Sequence, residues 1–177
     1  VGRLSELVVD AKSKRLISKY TLLELDTHLS YPAIIRQGND VLVCPENGAS
    51  GKLSLYKYNS KTHKLEFISV ILEESLADAT IQQVGDNFYM FATKVPNTQE
   101  DLFLYQSTRF DGDYQEVGLI SKGRENARPA GDLFEVEGVL YRPAQNCSKG
   151  YGGATEVMQV TKCEDGCFEE KHLFSLS

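Results

Sequence analysis

Three stretches of this chain share one layout, and this internal repeat constrains the fold more than any other feature. The stretches are residues 30–46, 77–93 and 127–145. Each consists of a short apolar run, a tight turn that contains glycine, and a second apolar run, which is the pattern of a β-hairpin. The turn glycines are Gly38, Gly85 and Gly138. The hairpins therefore recur at a spacing of roughly 50 residues, as expected for a repeat architecture.

Two further runs follow each predicted hairpin and complete a set of four strands. We expect third strands at residues 53–58, 102–107 and 155–160, and fourth strands at residues 64–72, 113–121 and 168–176. β-Branched and aromatic residues fill these runs, and none has the 3.6-residue period of a long helix. Four antiparallel strands repeated in this way are typical of the blades of a β-propeller. The sequence therefore predicts an all-β propeller; a β-sandwich is the alternative, but it does not explain the repeat.

The head of the chain fits the same scheme as the second half of a blade. Residues 4–10 resemble a third strand and residues 15–24 a fourth. We predict a single propeller domain with a half blade at 1–27 and blades at 28–75, 76–125 and 126–177. Three and a half blades are fewer than the roughly four to eight of a closed ring. Either N-terminal sequence is missing, or another copy of the chain completes the ring.

Composition and charge disfavour several classes of protein. Of the 177 residues, 41% are hydrophobic and 25% are charged, which is typical of a globular domain. The net charge of −6 argues against a nucleic-acid-binding surface, which needs an excess of Lys and Arg. No stretch approaches the roughly 20 apolar residues of a membrane span. With no targeting segment, metal motif or cofactor motif in view, we expect a soluble domain without a cofactor, in a compartment that the sequence does not define.

The sequence near the C-terminus is compatible with either a disulfide or two free thiols. Cys163 and Cys167 flank a predicted turn at Asp165–Gly166, where they could close a hairpin disulfide or stay as two thiols. A zinc site is disfavoured because a second pair of this type is missing. The charged segment 164–170 is predicted to be a solvated face.

The propeller layout also predicts where functional residues converge. The first strand of each blade lines the central channel, so residues at the starts of these strands face one another at one opening. The predicted set comprises His28, Ser30, Tyr31, Glu46, Asp78, Arg128, Gln145 and Tyr151. Tyr31, Asp78 and Arg128 begin first strands, whereas Glu46 and Gln145 end second strands. Tyr151 lies in a Gly-rich loop and would form an aromatic wall.

This set suits a polyhydroxylated ligand. Carboxylates and amides bind pairs of hydroxyl groups, and tyrosine faces cover the C–H surface of a sugar. Arg128 would bind a carboxylate or phosphate of the ligand. In the alternative interpretation, Asp78 and Arg128 pair with each other and fix the spacing of the blades, because buried charges usually pair. If they bind a ligand, Asp78→Ala and Arg128→Ala are expected to abolish binding and leave the fold largely intact.

An ordered series of motifs resembles a known propeller family. The motifs are His28-Leu-Ser-Tyr-Pro32, Cys44-Pro-Glu46, Asp78-Ala-Thr80, Arg128-Pro-Ala-Gly131, Arg142-Pro-Ala-Gln145 and Tyr151-Gly152. The family is similar in layout to glycoside hydrolase families 43 and 32, and to the N-terminal propeller of glucosamine inositolphosphorylceramide transferase-like proteins. The resemblance implies a five-bladed propeller that binds a glycan or sugar phosphate and is linked to a glycosyltransferase domain.

The resemblance also implies catalytic roles, which this sequence meets only in part. Family 43 hydrolases use a base Asp in the first blade, an Asp that orients and tunes, and a Glu acid. Asp78 matches the tuning Asp, but arginine stands at the place of the acid, in Ala127-Arg128-Pro129. Glu46 or Glu125 would be substitute carboxyls, although neither lies at the matched place, and glycoside hydrolysis generally needs two. We therefore predict a binding propeller; the alternatives are an active hydrolase whose base lies in a missing first blade, and a protein-interaction propeller.

Overall fold

Short β-forming runs separated by tight turns build the chain into successive antiparallel meanders. The computed structural model describes residues 1–164 and 166–177. Its strands are β1 (Leu4–Val9), β2 (Leu16–Leu23), β3 (Ser30–Gln37), β4 (Asp40–Glu46), β5 (Leu53–Asn59), β6 (Lys64–Leu72), β7 (Leu76–Val84), β8 (Asn87–Lys94), β9 (Asp101–Ser107), β10 (Gln115–Lys122), β11 (Phe134–Val136), β12 (Val139–Asn146), β13 (Ala154–Glu164) and β14 (Cys167–Leu176). A short 3-10 helix spans Gly48–Ser50.

The strands form three four-stranded sheets and one two-stranded sheet. Within each four-stranded sheet the strands hydrogen-bond in chain order, as β3-β4-β5-β6, β7-β8-β9-β10 and β11-β12-β13-β14, while β1 pairs with β2. Adjacent sheets contact each other through β2 and β6, and through β3 and β4 against β7. This arrangement confirms the predicted all-β fold with three and a half propeller-type blades.

The hairpin turns of the three sheets explain the glycine repeat. Gly38, Gly85 and Gly138 have φ angles of 57°, 59° and 77°, a region in which a residue with a Cβ is strained. In the first two turns only the first central residue has positive φ, as in a type II′ turn; in the third turn Glu137 also does, at 52°, as in a type I′ turn. These are the turns whose twist suits a two-residue hairpin.

The first strand of the third repeat differs from the prediction. The run 127–136 reads as one strand, but β11 covers only its last three residues, and Pro129 makes an isolated bridge to Ala144. Proline has no N–H to donate to the ladder. The segment still lies beside β12, because the Gln145 N–H donates to the Arg128 carbonyl at 2.8 Å and the Ala130 N–H to the Pro143 carbonyl at 3.1 Å. Arg128 therefore occupies the predicted place on an irregular backbone.

Apolar side chains between consecutive sheets form the core. The half sheet packs on the first full sheet through residues such as Leu4 and Val43. The first and second full sheets share a cluster that includes Leu55 and Met90. The second and third share another, which includes Phe91. Stacked sheets buried in this way are held together mainly by removal of apolar surface from water.

The C-terminal hairpin contains the two cysteines and the charged segment for which the sequence made predictions. The four cysteines are free thiols, with Cys163 half-buried and Cys167 exposed. Asp165, in the predicted turn between them, lies outside the described residues. The prediction of a solvated face is wrong for Glu170, whose side chain is 8% exposed and pairs with Arg142. Strand alternation turns Glu170 towards the covered side of the sheet, while its neighbour Glu169 is exposed. In the part of the chain that the structure describes, no helix has the length and apolar character to cross a membrane.

Candidate functional site

Two predicted site residues lie on backbone bulges at the starts of neighbouring first strands. Tyr31 in β3 and Asp78 in β7 have φ angles of 38° and 51°. The pairing register shifts beside each of them, between Ser30 and Pro32 and between Ala77 and Thr80. A left-handed conformation outside glycine costs roughly 1–2 kcal/mol, and bulges of this kind re-aim side chains and are over-represented next to active sites. A bulge with a residue of positive φ therefore lies at the same position in two consecutive sheets.

Asp78 and Arg128 form a buried ion pair. The Arg128 Nε–H donates to Oδ2 of Asp78, and Nε2 of Gln145 donates to the same oxygen at 3.3 Å. The side chains of Arg128 and Asp78 are only 10% and 4% exposed. Gln145 also donates to the Pro129 carbonyl at 2.9 Å. Both amide hydrogens of Gln145 are thus engaged, and its Oε1 is left to accept a hydrogen bond.

The pair with Asp78 does not use all the donors of Arg128. Its Nη1 donates to Oγ1 of Thr98 at 3.0 Å. The guanidinium carbon lies 4.9 Å from the centre of the Tyr151 ring, and Tyr151 is 68% exposed. Among residues 1–164 and 166–177, no hydrogen-bond partner is found for Nη2. Arg128 therefore both pairs with Asp78, as one interpretation of the sequence predicts, and keeps N–H donors beside an exposed aromatic ring.

Glu46 brings a second carboxylate to Asp78. Its Oε2 accepts the main-chain N–H of Asp78 at 3.1 Å. Burial raises the pKa of Asp78 to about 6; the bond from Arg128 acts against this shift, and the neighbouring negative charge of Glu46 adds to it. The site thus holds a carboxyl that takes up a proton well above the usual range of aspartate.

Glu46→Gln is expected to lower the pKa of Asp78, because the amide removes a negative charge and its oxygen still accepts the Asp78 N–H. Since the folded protein holds the Asp78 proton more tightly than the unfolded chain, the free energy of unfolding falls as pH rises from about 4 to about 6. This fall is expected to be smaller in the variant. Carbon-13 NMR titration of the Asp78 carboxyl carbon measures the pKa directly. Glu73→Gln, at an exposed carboxylate, is the control, and an unchanged Asp78 pKa in Glu46→Gln would contradict the assignment.

Tyr31 is tied to the same group through its hydroxyl. Thr80 donates its only hydroxyl hydrogen to the Asp78 carbonyl at 3.2 Å, so it accepts from the Tyr31 hydroxyl at 2.8 Å. Burial raises the pKa of Tyr31 to about 12. The tyrosine therefore stays protonated and holds the backbone of Asp78 in place. Tyr31 also lines a small cavity between β3 and the segment that precedes β11.

His28 and Ser30 are less closely associated with this group. The exposed His28 ring accepts the Gly2 N–H on its Nδ1 at 2.9 Å, so its observed contact is with the N-terminal segment. Ser30 pairs in register with Glu46 through the main chain. The structure thus brings together six of the eight predicted residues: Tyr31, Glu46, Asp78, Arg128, Gln145 and Tyr151.

Sequence reasoning missed two residues that complete the site. Thr98 binds Arg128, and Thr80 connects Tyr31 with Asp78. Thr98 lies in the loop after β8, four residues beyond the end of that strand. The strand-end position that indicated Glu46 and Gln145 in the other two sheets therefore does not indicate Thr98. Within the described ranges, no cluster of three or more His, Cys, Asp and Glu side chains is arranged to hold a metal ion.

The amino-acid sequence matches a known protein family over most of its length. Residues 14–175 match the family described as "Glucosamine inositolphosphorylceramide transferase 1, N-terminal". The chain belongs to this family. Full-length proteins that carry the transferase name are similar to it: the protein from Oryza sativa subsp. indica is 26% identical over 145 residues, and that from Arabidopsis thaliana is 27% identical over 142 residues. These alignments cover 76% and 75% of this chain but only 19% and 18% of the relatives. The chain thus spans about a fifth of the length of the transferases it matches.

Several solved structures are similar to this chain in fold. An exo-1,5-alpha-L-arabinanase from a bovine ruminal metagenomic library superposes with a TM-score of 0.63 at 11% identity, over 93% of this chain and 66% of that one. A bifunctional GH43-CE protein of Bacteroides eggerthii gives 0.69 at 11% identity, over 99% of this chain and 24% of that one. A Cellvibrio cellulosa alpha-L-arabinanase complexed with arabinohexaose gives 0.58 at 17% identity, over 89% and 62%. The three and a half blades of this chain therefore match the fold of the five-bladed family 43 propellers.

Proposed function

We propose that this domain is a carbohydrate-recognition propeller that binds a glycan or sugar phosphate at the mouth of the channel. The observation that carries the proposal is the buried Asp78–Arg128 pair, which keeps N–H donors of Arg128 available beside the exposed ring of Tyr151. A guanidinium with free N–H groups is suited to phosphate or carboxylate. A tyrosine face next to it is suited to the C–H surface of a sugar ring.

The other groups of the site suit the hydroxyls of the same ligand. Oε1 of Gln145 is an acceptor without a role in the Asp78 contact. The carboxylate of Glu46 accepts one main-chain N–H and retains capacity to accept more. Anchored acceptors of this kind lose little conformational freedom when a ligand binds, which favours affinity.

The relatives suggest the setting in which such binding is useful. Proteins of this family are named as glucosamine inositolphosphorylceramide transferases, and this chain corresponds to about a fifth of their length. We propose that the domain works with a glycosyltransferase domain and holds a carbohydrate-containing substrate or product for it. A propeller of this fold in complex with arabinohexaose is in keeping with a sugar site on such a scaffold.

A glycoside hydrolase is the second candidate, favoured by the raised pKa of Asp78 and the adjacent carboxylate of Glu46. A general acid needs a raised pKa and access to the glycosidic oxygen. The Asp78 carboxylate is instead buried and bound by Arg128 and Gln145. Binding therefore accounts for more of the geometry than hydrolysis does.

Native mass spectrometry with glucose 6-phosphate, glucose and inorganic phosphate tests the proposal. We expect glucose 6-phosphate to bind and Tyr151→Ala to weaken it about 5- to 30-fold, since stacking and cation–π contacts contribute on the order of 1–2 kcal/mol. Arg128→Lys should weaken it further, because a lysine cannot replace the planar guanidinium. Arg109→Ala, at an exposed arginine, is the control. Absence of a sugar-phosphate adduct, or equal binding by all variants, would overturn the proposal, and release of cleaved products from an oligosaccharide would favour the hydrolase.

A further inference from the structure

The buried group at the channel mouth contains more acidic than basic side chains. Asp78 pairs with Arg128, and Oε2 of Glu46 accepts the main-chain N–H of Asp78 at 3.1 Å. Among the residues that the structure describes, Arg128 is the only cation paired with Asp78, and Glu46 has no ion pair. The charges of both carboxylates act on Arg128. With both carboxyls ionised, two negative charges surround one positive charge, so the group is negative.

This negative charge opposes the binding of an anionic ligand at Arg128. The N–H donors that Arg128 keeps beside Tyr151 suit a phosphate, sulfate or carboxylate. The Asp78 carboxylate is only 4% exposed, and a buried charge is poorly screened by water. It therefore repels an incoming anion and offsets part of the attraction of the guanidinium. A proton on Asp78 would remove that repulsion.

The surroundings of Asp78 can accommodate such a proton. Burial raises the pKa of Asp78 to about 6 against the opposing effect of Arg128, and a hydrogen bond with Glu46 adds to the shift. The carboxylate of Glu46 thus accepts the hydrogen of a protonated Asp78, while Oδ2 still accepts from Arg128 and Gln145. The other titratable neighbour, Tyr31, stays neutral because burial raises its pKa to about 12.

We infer that an anionic carbohydrate binds at Arg128 together with a proton, which Asp78 takes up from the solvent. The proton neutralises the Asp78 carboxylate, so the full charge of the guanidinium acts on the ligand. Affinity is then highest where Asp78 is already protonated, below about pH 6, and falls as pH rises above that value. This inference rests on the proposed function, because it describes how pH regulates the same site.

The test measures the affinity for glucose 6-sulfate by isothermal titration calorimetry at several pH values. A sulfate ester keeps one negative charge in this range, whereas a phosphate ester itself titrates near about pH 6. We expect the affinity to fall about tenfold from about pH 5 to about pH 7, as one linked proton requires. Titrations at about pH 7 in two buffers of different ionisation enthalpy should show that nearly one proton is taken up per ligand.

Three variants identify the group that takes up the proton. Asp78→Asn resembles the protonated acid, so its affinity should vary by less than about twofold with pH, without proton uptake. Glu46→Gln should move the fall in affinity to lower pH, because it removes a charge that favours protonation of Asp78. Glu73→Gln, at an exposed carboxylate, is the control and should keep the wild-type pH dependence.

The possible outcomes separate this inference from the proposed function. Binding of glucose 6-sulfate by the wild-type protein without proton uptake would overturn proton-linked binding, and this measurement does not depend on the folding of any variant. A pH dependence that persists in Asp78→Asn would also overturn it. If glucose 6-phosphate and glucose 6-sulfate still bind in those cases, the proposed function stands without the proton. Failure of both ligands to bind would overturn both.

Discussion

Arg128→Met is expected to lower the free energy of unfolding by about 3–5 kcal/mol, which is the usual cost of removing one partner from a buried ion pair. The substitution keeps an apolar side chain of similar length but leaves the Asp78 carboxylate, 4% exposed, without its counterion, although burial already disfavours its charged form. Urea denaturation followed by circular dichroism measures the loss. From the sequence we expect changes at Asp78 and Arg128 to spare the fold; the burial of the pair revises that expectation.

A double variant separates the lost charge balance from lost packing. Asp78→Asn combined with Arg128→Met removes both charges, so it should be less destabilised than the sum of the two single variants. The exposed pair Arg109–Asp111 is the control: Arg109→Met should cost no more than about 1 kcal/mol. Equal losses in Arg128→Met and Arg109→Met would mean that the buried pair contributes no more to stability than an exposed pair.

Glu170→Gln is expected to have a similarly large effect on stability, although Glu170 is not part of the candidate ligand site. Arg142 donates to the two carboxylate oxygens of Glu170 at 2.8 and 2.6 Å, across the intervening strand β13, and to the Asn126 carbonyl at 2.8 Å. Its side chain is 1% exposed. An amide at position 170 leaves this guanidinium uncompensated, so we expect a loss of about 3–5 kcal/mol in the same urea experiment.

Glu169→Gln is the matched control for that substitution, because Glu169 is the adjacent residue and is exposed. It should change stability by no more than about 0.5 kcal/mol. Asn126 lies two residues before Arg128 in the chain, so the contact with Arg142 also fixes the segment that leads into the site. Similar stabilities of the two variants would show that the Arg142–Glu170 pair does not hold the third sheet together.

The sequence predicts much of the fold because its main signals are local. Gly38, Gly85 and Gly138 are required by the positive φ angles of tight turns, and the apolar runs between them show the period of strands. The convergence of Tyr31, Asp78 and Arg128 follows from the repeat, because equivalent positions in successive blades line one channel.

Features that depend on contacts between distant residues could not be predicted in the same way. The bulges at Tyr31 and Asp78 arise from the pairing of whole strands and have no glycine to mark them. Glu170 lies in a charged run, and only its alternation against Arg142 of another strand reveals that it is buried.

NMR of side-chain N–H groups tests most directly whether a carbohydrate ligand binds at Arg128. The Arg128 Nε–H donates to a buried carboxylate, so it should be protected from exchange and visible. Titration with glucose 6-phosphate should shift this signal and the Gln145 amide signals, and leave unchanged the Nε–H of Arg142, which is buried and donates to Glu170. Shifts confined to Arg142, or no shift at Arg128 when ligand is in excess, would contradict ligand binding at Arg128.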